Sequence, residues 1–302
     1  MYTVRMLFLR RYFPYITLAG LALISIGIWS AVFAATPSGV LTFAVLNIGQ
    51  GDGLYIESPT GVRMLVDGGP GTGALLSELP KVMPFADREL DAIIETHPDS
   101  DHMGGFVDLL KRYKVDNFIE PGIIKHNITT DTLEAEVASE KIPKYIARRG
   151  MWLDLGGGAR LDILFPDTDV THMDPAQDNN GCIVAHLVYG KTSVLLTCDA
   201  TKIVEDYLLA IASLPTGQAG SSELASDILK VGHHGSKYST GDAFVAAVHP
   251  SVALISVGAH NPYGHPTQQV LDILAAHNIP VLRTDQDGTL IFKSNGEKFV
   301  RE

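Results

Sequence analysis

The sequence predicts an α/β fold, a two-sheet αββα sandwich preceded by one membrane-spanning helix. Three observations carry this expectation. No charged residue occurs between Arg11 and Asp52, short β-like runs alternate with helix-like periods along the rest, and no linker separates the two halves. With 302 residues, 46% hydrophobic and 19% charged, the chain can bury a sizeable core and is not of the disordered class.

Within the uncharged gap, residues 16–35 are mostly apolar. At about 1.5 Å per residue this run spans roughly 30 Å, the hydrocarbon thickness of a bilayer. Arg5, Arg10 and Arg11 precede it, which puts the N-terminus inside and the remainder outside the cytoplasmic membrane. A cleaved signal ending near Val32-Phe33-Ala34 and a buried core helix are the competing readings. Signal cores of about 7–15 residues are shorter than this run, so length favours the anchor. Residues 1–38 are therefore read as membrane anchor or signal segment and residues 39–302 as the folded domain. The expected location is the cell membrane, single-pass with the domain extracytoplasmic, or secreted if the segment is cleaved.

The net charge is −11, but the three arginines lie ahead of residue 35, so the remainder carries −14. Such a domain does not bind nucleic acid or anionic lipid through bulk charge. Two cysteines exclude a cysteine-rich scaffold and a four-cysteine zinc site. Cys182 and Cys198 flank Gly190 symmetrically and could face each other across a hairpin with a three-residue loop. Two buried small side chains is the favoured reading, a disulfide the alternative.

Strands are expected at 41–46, 54–57 and 62–66, punctuated by the turns Gly49-Gln50-Gly51-Asp52 and Ser58-Pro59-Thr60-Gly61. A strand at 92–96, a helix at 103–113, a strand at 117–120 and a long helix at 131–149 follow. A meander of strands at 152–155, 161–165, 183–188 and 192–197 leads to a helix at 201–212 and a surface loop at 214–222. Strands at 228–231, 252–256, 281–284 and 289–293 then alternate with helices at 241–248 and 267–277.

The segment Thr96 to Gly105, THPDSDHMGG, is the strongest chemical signal. His97, Asp99, Asp101 and His102 fall on one strand-to-helix turn, where a tight bend aims successive side chains at one point. Imidazole and carboxylate suit zinc, manganese or iron. A helix N-cap explains one aspartate there, not two with two histidines.

This segment resembles the HxHxDH signature of the metallo-β-lactamase superfamily, with Asp99 in place of the middle histidine. The HxDxDH form is similar to that of the hydrolase domain of ComEC-type competence proteins, a DNA-uptake family. LTFAVLNIGQGD (41–52), VDGG (66–69), DNNGCIVAHLVYGKTSVLLTCDA (178–200), LKVGHHGS (229–236) and SVGAHNPYGHP (256–266) keep the same order. The resemblance implies two divalent transition-metal ions, zinc or manganese. His97 and Asp99 would hold one, Asp101 and His102 the other; Asp199 would bridge, and His234, favoured over His233, would complete the second. His233, Ser236 and His265 would face the substrate, and Asp67 would orient a ligand from below. Asn47 and Cys198 stand where aspartate and glycine are expected. The histidine usual ahead of the hairpin is missing, so the first ion relies on Asp178 or water, and Cys198 could approach the metals.

The implied chemistry is metal-assisted hydrolysis, with attack near Asp101 and Asp199 and help from His233 or His265. Phosphodiester cleavage of DNA is the leading function. Hydrolysis of another extracytoplasmic ester (phosphocholine ester, lactone or β-lactam) and a non-catalytic metal-binding partner are the alternatives. Lys230, Lys237, Tyr238 and Tyr263 are the local candidates for a nucleic-acid track. One apolar segment cannot form a pore, so a separate membrane channel protein is the expected partner.

Overall fold

The computed structural model describes residues 2–35, 39–84, 87–213 and 223–302. The loop expected at 214–222 lies outside the described residues. Two compact units result, Met1–Pro37 and Ser38–Glu302. In the first, helix α1 (Tyr2–Ala35) contains Pro14. Its stretch Tyr12–Trp29 is long and apolar enough to cross a membrane. That stretch starts and ends earlier than the run 16–35 read from sequence.

The second unit opens with β1 (Leu41–Val45), β2 (Gly53–Glu57), β3 (Arg63–Gly68), the short helix α2 (Ala74–Glu78), β4 (Glu89–Leu90) and β5 (Ala92–Ile94). Helix α3 (Ser100–Leu110), β6 (Lys114–Val115), β7 (Phe118–Glu120), α4 (Ile128–Ser139), β8 (Lys144–Ile146), β9 (Trp152–Gly156) and β10 (Ala159–Phe165) follow. Then come β11 (Val184–Tyr189), β12 (Thr192–Leu196), α5 (Lys202–Ala212), β13 (Ile228–Lys230), α6 (Asp242–Val248) and β14 (Val252–Ile255). The chain ends with α7 (Gln268–Ala276), β15 (Val281–Arg283), α8 (Thr284–Asp287), β16 (Leu290–Ser294) and β17 (Phe299–Arg301).

Among the described residues, one large sheet has eight strands in the order β17-β16-β1-β2-β3-β5-β7-β8, a second has seven, β15-β14-β13-β12-β11-β10-β9, and β4 pairs with β6 in a small third. Alternation along each strand builds three apolar layers. Leu41, Phe43 and Val45 of β1 meet Leu187, Val194 and Leu196 between the sheets. On the outer face of the first sheet, Ala44, Tyr55 and Leu65 pack with Phe106 and Leu109 of α3 and Leu133 of α4. On the outer face of the second, Val184, Leu195 and Leu229 pack with Val204, Phe244 and Val270 of α5, α6 and α7. Both sheets are covered on both sides, so their central strands read as continuous apolar runs.

Three expectations need correction. The helix expected at 131–149 is α4, opened by a capping box in which the Asn127 side chain accepts from Thr129 N and Thr130 N. It stops at Ser139, and Pro143 is followed by β8, an edge strand of the first sheet, because proline and its predecessor disfavour helix. The helix expected to begin at Met103 begins at Ser100, which puts Asp101 and His102 in its first turn and the Gly104-Gly105 pair inside it. The cysteine hairpin turns on two residues, with Tyr189 opposite Thr192 and Ala185 opposite Leu196. Cys182 and Cys198 are therefore one step out of register, and both are buried free thiols.

Glycine inside α3 costs about 1 kcal/mol relative to alanine, and the packing explains it. A Cβ on Gly105 would stand 2.0 Å from Gly68 O. This contact seats the helix start on the end of β3, where Gly69 N donates to His102 O at 3.0 Å and Gly105 N to Gly69 O at 2.8 Å.

His186 of β11 lies away from this region, with Nε2 3.1 Å from Ser226 Oγ. Burial, with help from Arg160, pushes its pKa down from 6.5 to about 4. In that window the unfolded chain binds the proton more readily, so this site's contribution to stability is present above pH 6.5 and lost as pH falls towards 4. Thermal unfolding of His186→Gln across this range should therefore show a shallower acid loss than the unsubstituted chain. Parallel curves would contradict the assignment.

Candidate metal centre

The centre lies where strand ends of both sheets meet the start of α3. Three imidazoles reach it with the same wiring. His102 Nδ1 donates to Asp67 Oδ2 at 2.7 Å, and His234 Nδ1 donates to Ser256 O at 2.9 Å. His97 Nδ1 lies 3.1 Å from Thr96 Oγ1, whose own hydrogen goes to Asp67 Oδ2 at 2.7 Å, leaving a lone pair for the imidazole. Each ring thus has its Nδ1 proton engaged and its Nε2 bare, the tautomer a metal ligand needs. Asp67 also accepts from Thr96 N at 2.8 Å, so one buried carboxylate fixes both the strand end and the His102 ring.

Nε2 of His97, His102 and His234 and Oδ1 of Asp199 are buried and lack hydrogen-bond partners. His102 Nε2 stands 3.3 Å from Asp199 Oδ1. His234 Nε2 stands 3.6 Å from Asp101 Oδ2 and 3.7 Å from Asp199 Oδ1. Donor atoms of Asp101, His102 and His234 all fall within 4.8 Å of one another, as do those of His97, His102 and Asp199. Buried polar atoms are rarely left bare, and this set of imidazole nitrogens and carboxylate oxygens fits a divalent cation. These clusters can coordinate one or two such ions.

Electrostatics agree. Burial alone would push the His102 pKa down, but Asp199 and Asp67 hold it well above 6.5. Burial likewise opposes protonation of His234, yet Asp199, Asp52 and Asp101 raise it to about 10. Asp199 would be raised by burial, and the imidazoles of His234, His102 and His233 hold it well below its usual range. The pocket attracts positive charge, which protons supply to the ion-free site and which a metal would displace.

Backbone strain gathers here. Asp67, Cys198, His233 and His234 have φ of 60°, 50°, 49° and 53°. Non-glycine residues adopt this left-handed region at a cost and mostly where the surroundings dictate it. The positive φ at Cys198 is the physical reason a glycine is expected there.

The residues named from sequence distribute unevenly. His97, Asp101, His102, Asp199 and His234 converge. His233 is partly exposed, with Nε2 3.5 Å from Asp199 Oδ2. It packs edge-on against His265, which in turn stacks on Tyr263, each pair with ring centroids 5.7 Å apart. Ser236 is buried, and its Oγ accepts from Tyr238 N at 3.4 Å, a turn contact rather than a site surface. Cys198 stays one shell back, with Sγ 3.1 Å from Thr96 Oγ1 and 3.3 Å from His97 Nδ1. Lys230 cannot belong to a nucleic-acid track. Its side chain is fully buried, donating to Asp52 Oδ2 at 2.7 Å and Val231 O at 3.1 Å.

Asp99 departs furthest from expectation. One of its oxygens accepts from the Lys125 ammonium, which also donates to Asp178 Oδ2 at 2.6 Å. Asp99 Oδ2 stands 3.6 Å from His97 Nε2. Sequence reasoning missed Lys125, which carries no local signal in the loop before α4, and gave no role to Asp52, although its turn was recognised. Asp52 Oδ1 stands 3.5 Å from His234 Nδ1.

Known proteins resemble this chain in sequence and in fold. The model of the metallo-beta-lactamase superfamily matches residues 46–260. The chain is 34% identical over 267 residues to ComE operon protein 3 of Bacillus subtilis, covering 82% of this chain and 32% of that one. It is 30% identical over 258 residues to competence protein ComA of Neisseria gonorrhoeae, covering 85% and 33%. It thus spans about a third of the length of the curated relatives it matches. Among solved structures, the metallo-beta-lactamase fold protein YhfI of Bacillus subtilis is similar with a TM-score of 0.54, 13% identity, and coverage of 84% of this chain and 100% of that one. At that identity the likeness concerns the fold alone.

Asp67 spends both oxygens on Thr96 and on His102 Nδ1, and so holds the His102 ring. Asp67→Asn keeps its shape and tolerates the positive φ but removes the charge. Metal affinity, measured by chelator competition, should fall by roughly 10–100-fold. Unchanged affinity would show that Asp67 does not position the ligand.

Proposed function

This chain belongs to the metallo-β-lactamase superfamily, and on that premise we propose that it is a phosphodiesterase, a nuclease acting on DNA outside the cytoplasmic membrane in a competence-type uptake system. That it is a metal-dependent hydrolase follows from the fold and the clustered donors. The substrate class rests on its competence-system relatives and on one observation. The exposed ring of Tyr263 stacks on His265, which packs edge-on against His233 beside Asp199, and Tyr238, 61% exposed, follows His234 by four residues.

In this reading Asp101, His102, Asp199 and His234 hold a zinc or manganese ion, and His97 and Asp99 line the adjoining position. When bound, such an ion lowers the pKa of a water toward neutrality and polarises a phosphoryl oxygen. Asp101 and Asp199 orient the attacking water through their carboxylate oxygens. His233 and His265 face the outgoing side. Burial and the neighbouring His233 and His234 push the His265 pKa down to about 4, so it meets the substrate as a neutral N–H donor. Tyr263 backs that ring, and Lys237, with Nζ 5.1 Å from the Tyr238 ring centre, adds a cation.

A domain of net charge −14 repels a polyanion. Binding therefore depends on the centre and few phosphate contacts, with a shallow salt dependence of about one log unit per log salt for each contact. A flexible single strand can bring one phosphate to the centre while its bases stack on the tyrosines, and a stiff duplex does so less easily. The helix Tyr12–Trp29 anchors the chain in this reading, with the arginines inside, and a separate channel protein is the partner.

The test is an assay of the metal-loaded chain on single-stranded and duplex DNA, with Asp199→Ala as control. Single strands should be cut faster and the control should be inactive. His265→Ala should lower kcat roughly 10²–10³-fold, as loss of one transition-state donor does, with metal content unchanged. Cleavage no greater than the control, alongside hydrolysis of a lactone or phosphocholine ester, would replace DNA with that substrate. Orientation is checked separately by protease treatment of spheroplasts, which should digest the domain and spare cytoplasmic proteins. Protection equal to those proteins would reverse it.

A further inference from the structure

The two adjoining positions of the centre are not equivalent. Asp101, His102, Asp199 and His234 converge with no lysine among them, and the nearest buried ammonium, Lys230, is engaged by Asp52 on the far side of His234. The position beside His97 is different. Asp178, the residue available in place of a third histidine, spends Oδ2 on Lys125 Nζ at 2.6 Å and Oδ1 on Asn179 N at 3.0 Å. Asp99 gives one oxygen to the same ammonium. His97 converges with His102 and Asp199, the two donors it shares with the other position, and Asp99 Oδ2 stands 3.6 Å from His97 Nε2.

With His102 and Asp199 committed to the other position, a ligand set for a second ion here would need Asp99 and Asp178 beside His97, and both are paired to one cation. A divalent ion entering there would face a positive charge across a single carboxylate, at a half-buried position where water screens such repulsion only in part. The donors left to the first position, once His102 and Asp199 are taken by the other, do not fit a second resident metal ion.

We propose that this chain holds one metal ion, at Asp101–His102–Asp199–His234, and that the Lys125 ammonium permanently occupies the electrostatic place of the other. The centre is then a hybrid, with a metal ion on one side and a fixed organic cation on the other. Lys125 brings to the His97 side the positive charge that a phosphoryl oxygen would meet there, without the exchange or loss to chelators that a second ion undergoes.

This inference rests on the metal-binding character of the centre and not on the choice of substrate, so the test counts ions. The full-length chain, purified in detergent and stripped, is loaded with Mn(II), passed through a desalting column and analysed for metal by mass spectrometry. One equivalent should remain, with the electron paramagnetic resonance spectrum of an isolated Mn(II). Lys125→Met, which keeps the length and loses the charge, should bind a second equivalent at least about tenfold more tightly than the unsubstituted chain and give an exchange-coupled pair. Asp101→Ala in the unsubstituted background should leave no tightly held ion, whereas a two-ion centre would retain one. The Asp101→Ala count does not depend on how the Lys125 variant folds. Two equivalents and a coupled spectrum in the unsubstituted chain would overturn the proposal. So would a single equivalent in both the unsubstituted chain and a folded Lys125→Met. No bound metal in any form would overturn the metal centre and this inference together, whatever the DNA assay shows.

Discussion

Buried negative charge is the constraint around which the centre is arranged. Asp52, Asp67 and Asp199 are each almost sealed from water, and a carboxylate taken out of water must be paired or hydrogen-bonded. The three are compensated in three ways. Asp67 is answered by hydrogen-bond donors, a backbone N–H, a hydroxyl and an imidazole. Asp52 is answered by a full charge, the Lys230 ammonium. Asp199 has only imidazole edges, and one oxygen is left bare. The difference decides their work. The first two carboxylates hold rings and strands, Asp52 with its bare Oδ1 turned to the His234 ring, while the bare Oδ1 of Asp199 stands among the open Nε2 atoms of the centre. Breaking a buried ion pair such as Asp52–Lys230 from one side typically costs about 3–5 kcal/mol, so the scaffold that aims His234 is itself held by charge.

This division explains what the sequence could and could not disclose. His97, Asp101 and His102 were legible because they are neighbours on one turn, and donors packed that densely along a chain have little use apart from binding a cation. Asp199 and His234 were legible through motifs that recur in order. Lys125 was not, because an isolated lysine in a loop has the same local appearance whether it faces solvent or joins two aspartates from distant segments. Lys230 misled for the opposite reason. Lysine is usually exposed, and only the three-dimensional meeting of β13 with the turn after β1 shows it buried. Ser236 shares that fate, since a motif places its backbone near the centre but not its hydroxyl.

The fold was legible to the same depth. Strand alternation and the covered sheets followed from local apolar patterns. The long helix at 131–149 failed because its period continued past a proline whose local effect prevails over the wider pattern. The hairpin failed by half a step. Symmetry about Gly190 suggested that the two cysteines are opposed, while the two-residue turn shifted every pair by one. The thiols instead share the apolar layer on the outer face of the second sheet, with Cys198 taking a glycine-like backbone beside Asp199. Tight turns near the centre are set by the need to aim side chains, and a position's ease with φ is not visible until that aim is known.

The pairing of β1 with β16 has a consequence for how the molecule is made. Leu41–Val45 lies against Leu290–Ser294 along its full length, so the first strand of the domain to leave the ribosome waits for nearly the last. Until then β1 is an open sheet edge with bare backbone groups and an apolar face on either side, the kind of surface that recruits other chains. Vectorial synthesis cannot complete this sheet piece by piece. The nascent domain must be shielded until β16 has emerged, and a transcript truncated ahead of Leu290 yields a product whose exposed edge lies at the start of the domain.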